Sequence, residues 1–225
     1  MNAKKEAAEK AVEWIKEGMV VGLGTGSTAY WAIQKIGELV KEGLKVKAVA
    51  TSQQTENLAR QRKIPIVAFS AIESIAITID GADEVDQNGN LIKGGGGALL
   101  REKLIAFHSK TYLTVVDEFK LVQQLGRFLL PVEIVPFAAE LTLQRLTMQF
   151  GPAKLRQADS QNFVTDNGNL IADLHLYPIT EPERINAALH AVPGVVETGI
   201  FMHEMITKVI IGKDDGTVEI RSFND

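Results

Sequence analysis

Between Asp80 and Lys103 the chain reads DGADEVDQNGNLIKGGGGALLREK, which sets aspartates, glutamates and Lys93 around four consecutive glycines. A carboxylate can take a proton from carbon and give it back. A lysine, or a row of backbone N–H groups, can hold the oxygen charge that such a step creates. Glycines at this density cost folding entropy, so something is expected to come close to the backbone here. The residue types favour proton transfer on a small anionic substrate.

Glu102 carries most of that reading. On a helix starting near Ala98, the residues three and four positions away are Ala98, Leu99, Ile105 and Ala106, all apolar. A carboxylate in an apolar stripe is expected to hold its proton more tightly than usual, which suits a proton-abstracting base. The alternative is an acid placed in a first helical turn by the helix dipole. Asp80 closes an apolar strand, and open α/β sheets bind ligands at such C-terminal ends. Gly81 and Ala82 allow a sharp turn that brings Asp83 towards Asp80. The Asn88–Gly89 turn then returns Lys93 to the same place, and Gly94, Gly95, Gly96 and Gly97 expose N–H groups before the next helix.

A second glycine turn, GLGTGST, runs from Gly22 to Thr28. It departs from the dinucleotide fingerprint because Ser27 replaces the third glycine, and Thr51 and Ser52 stand where an acid would close the next strand. No lysine follows the last glycine, so it is not a Walker loop. Two readings remain. It is an anion cradle made by Gly26 and the hydroxyls of Thr25, Ser27 and Thr28, or a tight turn with Ser27 as the helix N-cap. Lys120, ending VVDEFK after a strand, is a further candidate phosphate ligand.

Other chemistries find little support. A calcium loop fails in both registers. Starting at Asp86 puts the glycine position on Leu91 and the closing glutamate on Gly97; anchoring the glycine at Gly89 puts that glutamate on Gly95. The four histidines lack ligand spacing, and HEMIT has Thr207 where a zinc-protease motif needs its second histidine. There is no cysteine for disulfides, thiolate catalysis or sulfur-bound metal. The net charge of −4 argues against a nucleic-acid partner. The charged N-terminus is no signal peptide, and no apolar run approaches a membrane span. A cytoplasmic protein without a membrane or nucleic-acid partner is expected.

The elements that would position these groups alternate in the first half. Helices are expected over Ala3–Lys16, from Ser27, over Gln53–Arg62 and from Ala98. Strands are expected over Met19–Leu23, Val46–Ala50, Ile64–Phe69, Ser74–Ile79 and Tyr112–Val116. Such alternation implies a parallel sheet with helices on its faces. From Pro131 the order becomes β-α-β-β-α-β, with a hairpin turn at Asn167–Gly168, a helix over Glu181–Ala191 and a strand over Val195–Phe201. Lys208–Ile211 and Val218–Arg221 flank a last hairpin at Asp215–Gly216.

Taken together, GLGTGST, TSQQTENLA, IDGADEVDQNGNLIKGGGGALLREK, VVDEFK and LPVEIVPFA resemble ribose-5-phosphate isomerase, type A, over nearly the whole chain. The resemblance implies interconversion of ribose 5-phosphate and ribulose 5-phosphate without metal or organic cofactor. It implies that Thr25, Gly26, Ser27, Thr28, Asp80, Gly81, Ala82, Asp83, Lys93, Gly94, Gly95, Gly96 and Lys120 bind substrate, and that Glu102 accepts the proton. Asp80, Asp83 and Lys93 are expected to share in catalysis. The implied fold is α/β: a Rossmann-like parallel sheet flanked by helices over 1–130 and 205–225, with a smaller ferredoxin-like α+β lobe over 131–204, in homodimers or homotetramers. A non-catalytic sugar-phosphate sensor of the same fold is the alternative. An amino-sugar-phosphate deaminase or acyl-CoA transferase is conceivable on fold grounds alone.

Overall fold

The computed structural model describes residues 2–223. The chain opens with α1 (Ala3–Val12), β1 (Val20–Leu23), α2 (Ser27–Lys41), β2 (Lys47–Ala50), α3 (Gln53–Gln61) and β3 (Ile77–Gly81). Two short strands, β4 (Glu84–Val85) and β5 (Leu91–Ile92), lead to α4 (Leu99–Phe107) and β6 (Tyr112–Asp117). Next come β7 (Leu130–Ile134), α5 (Ala139–Phe150), β8 (Ala153–Leu155), β9 (Gln157–Ala158), β10 (Gln161–Asn162) and β11 (Leu170–Leu174). The last elements are α6 (Pro182–His190), β12 (Val195–Thr198), β13 (Ile200–Phe201), β14 (Lys208–Gly212) and β15 (Val218–Ser222).

Contacts group these elements into two units. One comprises Met1–Ala82, Arg101–Lys120 and His203–Asp225; the other comprises Asp83–Leu100 and Leu121–Met202. The sequence expectation drew its boundaries at 130 and 204. Residues 83–100 and 121–130 instead group with the second unit, because β5 pairs with β13 and Glu84 in β4 accepts the N–H groups of Gly126 and Phe128.

In the first unit the sheet order is β15-β14-β6-β3-β1-β2, parallel throughout except for the β14–β15 hairpin. All six residues of β6 are buried, and β3 is buried from Ile77 to Asp80. Such continuous burial is what strands covered on both faces require. α1 turns Ala3, Ala7, Ala8, Ala11 and Val12 inward, and these small side chains let it lie close to β14 and β6. A Cβ on Gly212 in β14 would stand 1.9 Å from the Ala3 carbonyl oxygen. Ala29, Ala32, Ile33 and Ile36 form the buried stripe of α2, and the last three join Val21, Leu23, Ile77, Ile79, Leu113, Val115 and Ile210 in one core. Each such Val, Leu or Ile side chain, fully buried, contributes about 1.5–3 kcal/mol.

The chain runs from β1 to β2 on one side of β1 and then returns to β3 on the other. The C-terminal ends of β1 and β3 therefore flank a switch point, the position where doubly wound sheets open a crevice. The strand expected over Ile64–Phe69 does not form. Ile66 makes only an isolated bridge to Ala48, and Phe69–Ala71 is a 3-10 turn. Pro65 has no N–H to give a ladder, so this segment offers only its carbonyl to Ala48 before Val67 donates back.

The second unit contains a four-stranded antiparallel sheet ordered β12-β7-β11-β8, with α5 and α6 as the crossover helices. Taken in chain order, β7-α5-β8-β11-α6-β12 is the split βαβ, ferredoxin-like pattern. Its core includes Leu130, Val132, Ile134, Leu146, Ala172, Leu174 and Leu189. A three-stranded sheet, β13-β5-β4, belongs to the same unit. The single strand expected over Val195–Phe201 breaks at Gly199, where a Cβ would lie 2.4 Å from the Lys93 carbonyl oxygen. Among the described residues, no helix is long and apolar enough to cross a membrane.

Candidate active site

In the first unit, β1, β3 and β6 end on the same edge and deliver Gly24–Thr28, Asp80–Ala82 and Asp117–Lys120 there. Asp80 is fully buried. Its Oδ1 accepts the N–H groups of Thr25 at 3.1 Å and Gly81 at 2.8 Å, and its Oδ2 accepts the Tyr112 hydroxyl at 3.2 Å. Burial, followed by the nearby charges of Asp80 and Glu102, pushes the Tyr112 phenol well above its ordinary range. Tyr112 therefore stays a neutral O–H donor to Asp80. Glu102, in the α4 segment of this unit, is 4% exposed beside the buried Ile105 and Ala106.

The close approach of Asp80 explains one glycine of GLGTGST. A Cβ on Gly24 would meet Asp80 Oδ1 at 2.1 Å and Asp80 Cα at 2.6 Å. Gly24→Ala must push the β3 backbone or displace the carboxylate. It should cost about 1–3 kcal/mol by overpacking, lower the melting temperature by roughly 2–4 °C per kcal/mol, and cut kcat/KM by more than about tenfold through the misplaced acid. Thermal melts and steady-state kinetics check this; wild-type values in both would contradict it.

The N-cap of α2 is Gly26, at φ +104°, and no side chain caps the helix. Ser27 is thus the first helical residue rather than the cap. Its hydroxyl accepts from Lys4 Nζ at 3.2 Å. The first N–H groups of a helix lack intrahelical acceptors, and the first turn of α2 carries no acid, so this end favours an anion. Thr28 is buried. The Thr25 hydroxyl faces away into a cluster with Thr51 (2.6 Å), Ser52 (2.8 Å) and Thr55 (3.2 Å), and Thr55 in turn bonds the Gly24 carbonyl. The hydroxyls at 51 and 52, which stand where a dinucleotide site would have its acid, hold the turn in shape. Lys120 ends a 3-10 turn just past β6 and is partly buried.

The second unit holds the other predicted residues. Asp83 N–H bonds the Ile92 carbonyl at 2.8 Å, which closes the hairpin made by β4 and β5, and Asp83 Oδ2 accepts the Gly95 N–H at 2.8 Å. Gly97 N–H bonds the Gly94 carbonyl at 2.9 Å, so the glycine run is a tight turn with positive φ at Gly94 and Gly97. Gly95 and Gly96 are exposed at its tip. Lys93 is 2% exposed, with Nζ 5.4 Å from the Phe201 ring centroid. Asp86 spends its carboxylate on the N–H groups of Asn88 and Asn90 and on the Asn90 amide, and so shapes the loop.

Sequence reasoning missed Lys4 and Tyr112. Lys4 links Ser27 to Asp117, whose Oδ2 lies 3.7 Å from its Nζ. A lysine in the first turn of a surface helix carries no local signal of that contact. Tyr112 was read only as the start of a strand, where its aromatic ring fits propensity alone.

These features define a class: a doubly wound α/β protein with a bare helix N-terminus and buried carboxylates on the edge where such sheets bind ligands. The family model Ribose 5-phosphate isomerase A (phosphoriboisomerase A) matches residues 47–216. Ribose-5-phosphate isomerase A of Bacillus mycoides is 48% identical over 221 residues, spanning 97% of this chain and 99% of the relative. The solved ribose 5-phosphate isomerase of Plasmodium falciparum superposes with a TM-score of 0.94 at 39% identity, over 98% of this chain and 97% of that one. A D-ribose-5-phosphate isomerase solved in complex with phospho-erythronic acid gives a TM-score of 0.93 at 39% identity, over 99% of this chain and all of the other. The chain belongs to the ribose 5-phosphate isomerase A family.

Proposed function

We propose that this protein interconverts D-ribose 5-phosphate and D-ribulose 5-phosphate. The observation that carries the reading is the fully buried Asp80, held on the Thr25 and Gly81 N–H groups and the Tyr112 hydroxyl next to the uncapped N-terminus of α2. The relative bound to phospho-erythronic acid supports it, since that ligand pairs a phosphate with a sugar-acid carboxylate.

Aldose and ketose differ by one proton moved between C2 and C1, with a matching exchange between O1 and O2. Glu102 removes the C2 proton of the open-chain sugar and returns it to C1 through an enediol or enediolate. Lys93 and the N–H groups of Gly94 and Gly96 hold the charge that develops on oxygen, while the Gly95 N–H stays on Asp83 and orients it. Asp80 and Asp83, with the Gly81–Ala82 backbone between them, open the ring and exchange hydroxyl protons. The phosphate is an anchor whose binding energy positions C2. Gly26, Ser27, Thr28 and Lys120 hold it, Lys4 joins them, and Thr25 supports the turn from below.

No step calls for a metal or an organic cofactor. A homodimer or homotetramer in the cytoplasm, acting on a pentose 5-phosphate without nucleic acid or membrane, completes the proposal. The test is to incubate the purified protein with ribose 5-phosphate, with and without EDTA, and follow ribulose 5-phosphate by NMR. Conversion at the same rate in both is expected. Saturable binding without conversion would replace the isomerase reading with a sugar-phosphate sensor.

A further inference from the structure

Arg156, between β8 and β9, has no place in the chemistry above, yet its side chain is only 15% exposed. Its Nε and Nη2 donate to Asp173 Oδ2 and Oδ1 at 2.9 and 2.5 Å, a two-point fork that fixes the guanidinium plane. The remaining Nη1 donates to the carbonyls of Gly94 at 2.9 Å and Gly95 at 3.0 Å. The guanidinium carbon lies 5.8 Å from the centroid of the Phe163 ring. That ring fills the place where a Cβ on Gly97 would stand, 2.4 Å away. The glycine turn is therefore gripped on its carbonyl side by one charged, oriented group.

The Gly94 carbonyl and the Gly95 N–H belong to the same peptide unit, and a trans amide points them in opposite directions. That N–H is the one bonded to Asp83 Oδ2. A single peptide plane is thus held between a guanidinium on its oxygen and a carboxylate on its nitrogen, and bonds in such a chain polarise one another. The Gly95 carbonyl, tied to the same Nη1, fixes the next plane and hence the direction of the Gly96 N–H at the exposed tip.

We infer that Arg156, oriented by Asp173, is a positioning residue for the sugar end of the substrate: it sets the Gly94–Gly95 and Gly95–Gly96 peptides, and through them the Asp83 carboxylate and the Gly96 N–H. The inference rests on the isomerase reading of the site. The competing role is a structural staple, since Asp173 pairs with Lys154 across β11 and β8. A staple would affect melting and leave turnover alone.

The experiment compares wild type, Arg156→Lys and Arg156→Ala with ribose 5-phosphate, and measures the Gly95 amide exchange rate by NMR in each. Lysine keeps the charge but cannot reach Asp173 and two carbonyls as a fork. Arg156→Lys should lose about tenfold or more in kcat, as small misplacements do. Its KM should stay within about threefold because the phosphate is held elsewhere, and Gly95 exchange should quicken. Millimolar guanidinium should restore part of the kcat of Arg156→Ala. Should Arg156→Ala fail to fold, Arg156→Lys decides alone. Wild-type kcat, or wild-type Gly95 exchange, in a folded Arg156→Lys would overturn the inference and leave the isomerase reading standing. A wild-type protein that leaves ribose 5-phosphate unchanged would overturn both.

Discussion

Glu102→Gln should lower kcat for ribose 5-phosphate by roughly 100-fold or more, the usual share of a general base, while KM changes by no more than about threefold. Glutamine keeps the shape of the side chain, so the packing against Ile105 and Ala106 is preserved and only the proton-accepting oxygen is lost. Glu102 is 4% exposed, so its carboxylate is shielded from bulk water. The same chain places Asp80 on three donors, Thr25 N–H, Gly81 N–H and Tyr112 O–H. Asp80 is thereby held in one orientation as a hydrogen-bond acceptor, which suits hydroxyl exchange rather than attack on carbon. Steady-state kinetics with ribose 5-phosphate decide the matter, and turnover near wild type would remove Glu102 from the role.

Lys93→Met should have the second large effect. Methionine nearly matches the length of the lysine stem and can keep the contact with Phe201, so folding should survive. What disappears is a buried positive charge, one of the groups proposed to meet the enediolate oxygen. Preorganised charge of this kind is worth about 100- to 1,000-fold in kcat when one donor is removed. KM should move little, because the phosphate is proposed to bind Gly26–Thr28, Lys4 and Lys120. A Lys93→Met variant with kcat within about threefold of wild type would show that the glycine N–H groups suffice without it. Raised KM with unchanged kcat would instead assign Lys93 to uniform binding.

The sequence made the architecture legible where burial is two-sided. The apolar runs ending in Leu23, Ala50, Asp80 and Asp117 are strands because helices cover both faces of their sheet, and continuous hydrophobicity survives as a local signal. Ile64–Phe69 misled for the same reason: it is apolar enough to read as a strand, but Pro65 removes a ladder donor and leaves a bridge. In the site, Asp80 and Glu102 were readable because an acid ending an apolar run, or standing inside an apolar stripe, is anomalous on its own. The partners that orient them were not. Tyr112 meets Asp80 across 32 residues, and Arg156 meets Gly94 across 62, so their roles exist only once the chain is folded. Glu84 is a further case: no local signal marks it, yet it is buried on two N–H groups that tie down the segment around Gly126.

The most direct test of the account follows hydrogen rather than product. In heavy water, the carboxyl proton that Glu102 has taken from C2 should exchange in part with solvent before delivery, so wild-type protein should place deuterium at C1 of ribulose 5-phosphate. Glu102→Gln, confirmed as folded and still binding the sugar phosphate, should lose that exchange in the same proportion as turnover. Exchange at C2 continuing at the wild-type rate in Glu102→Gln would show that another group abstracts the proton.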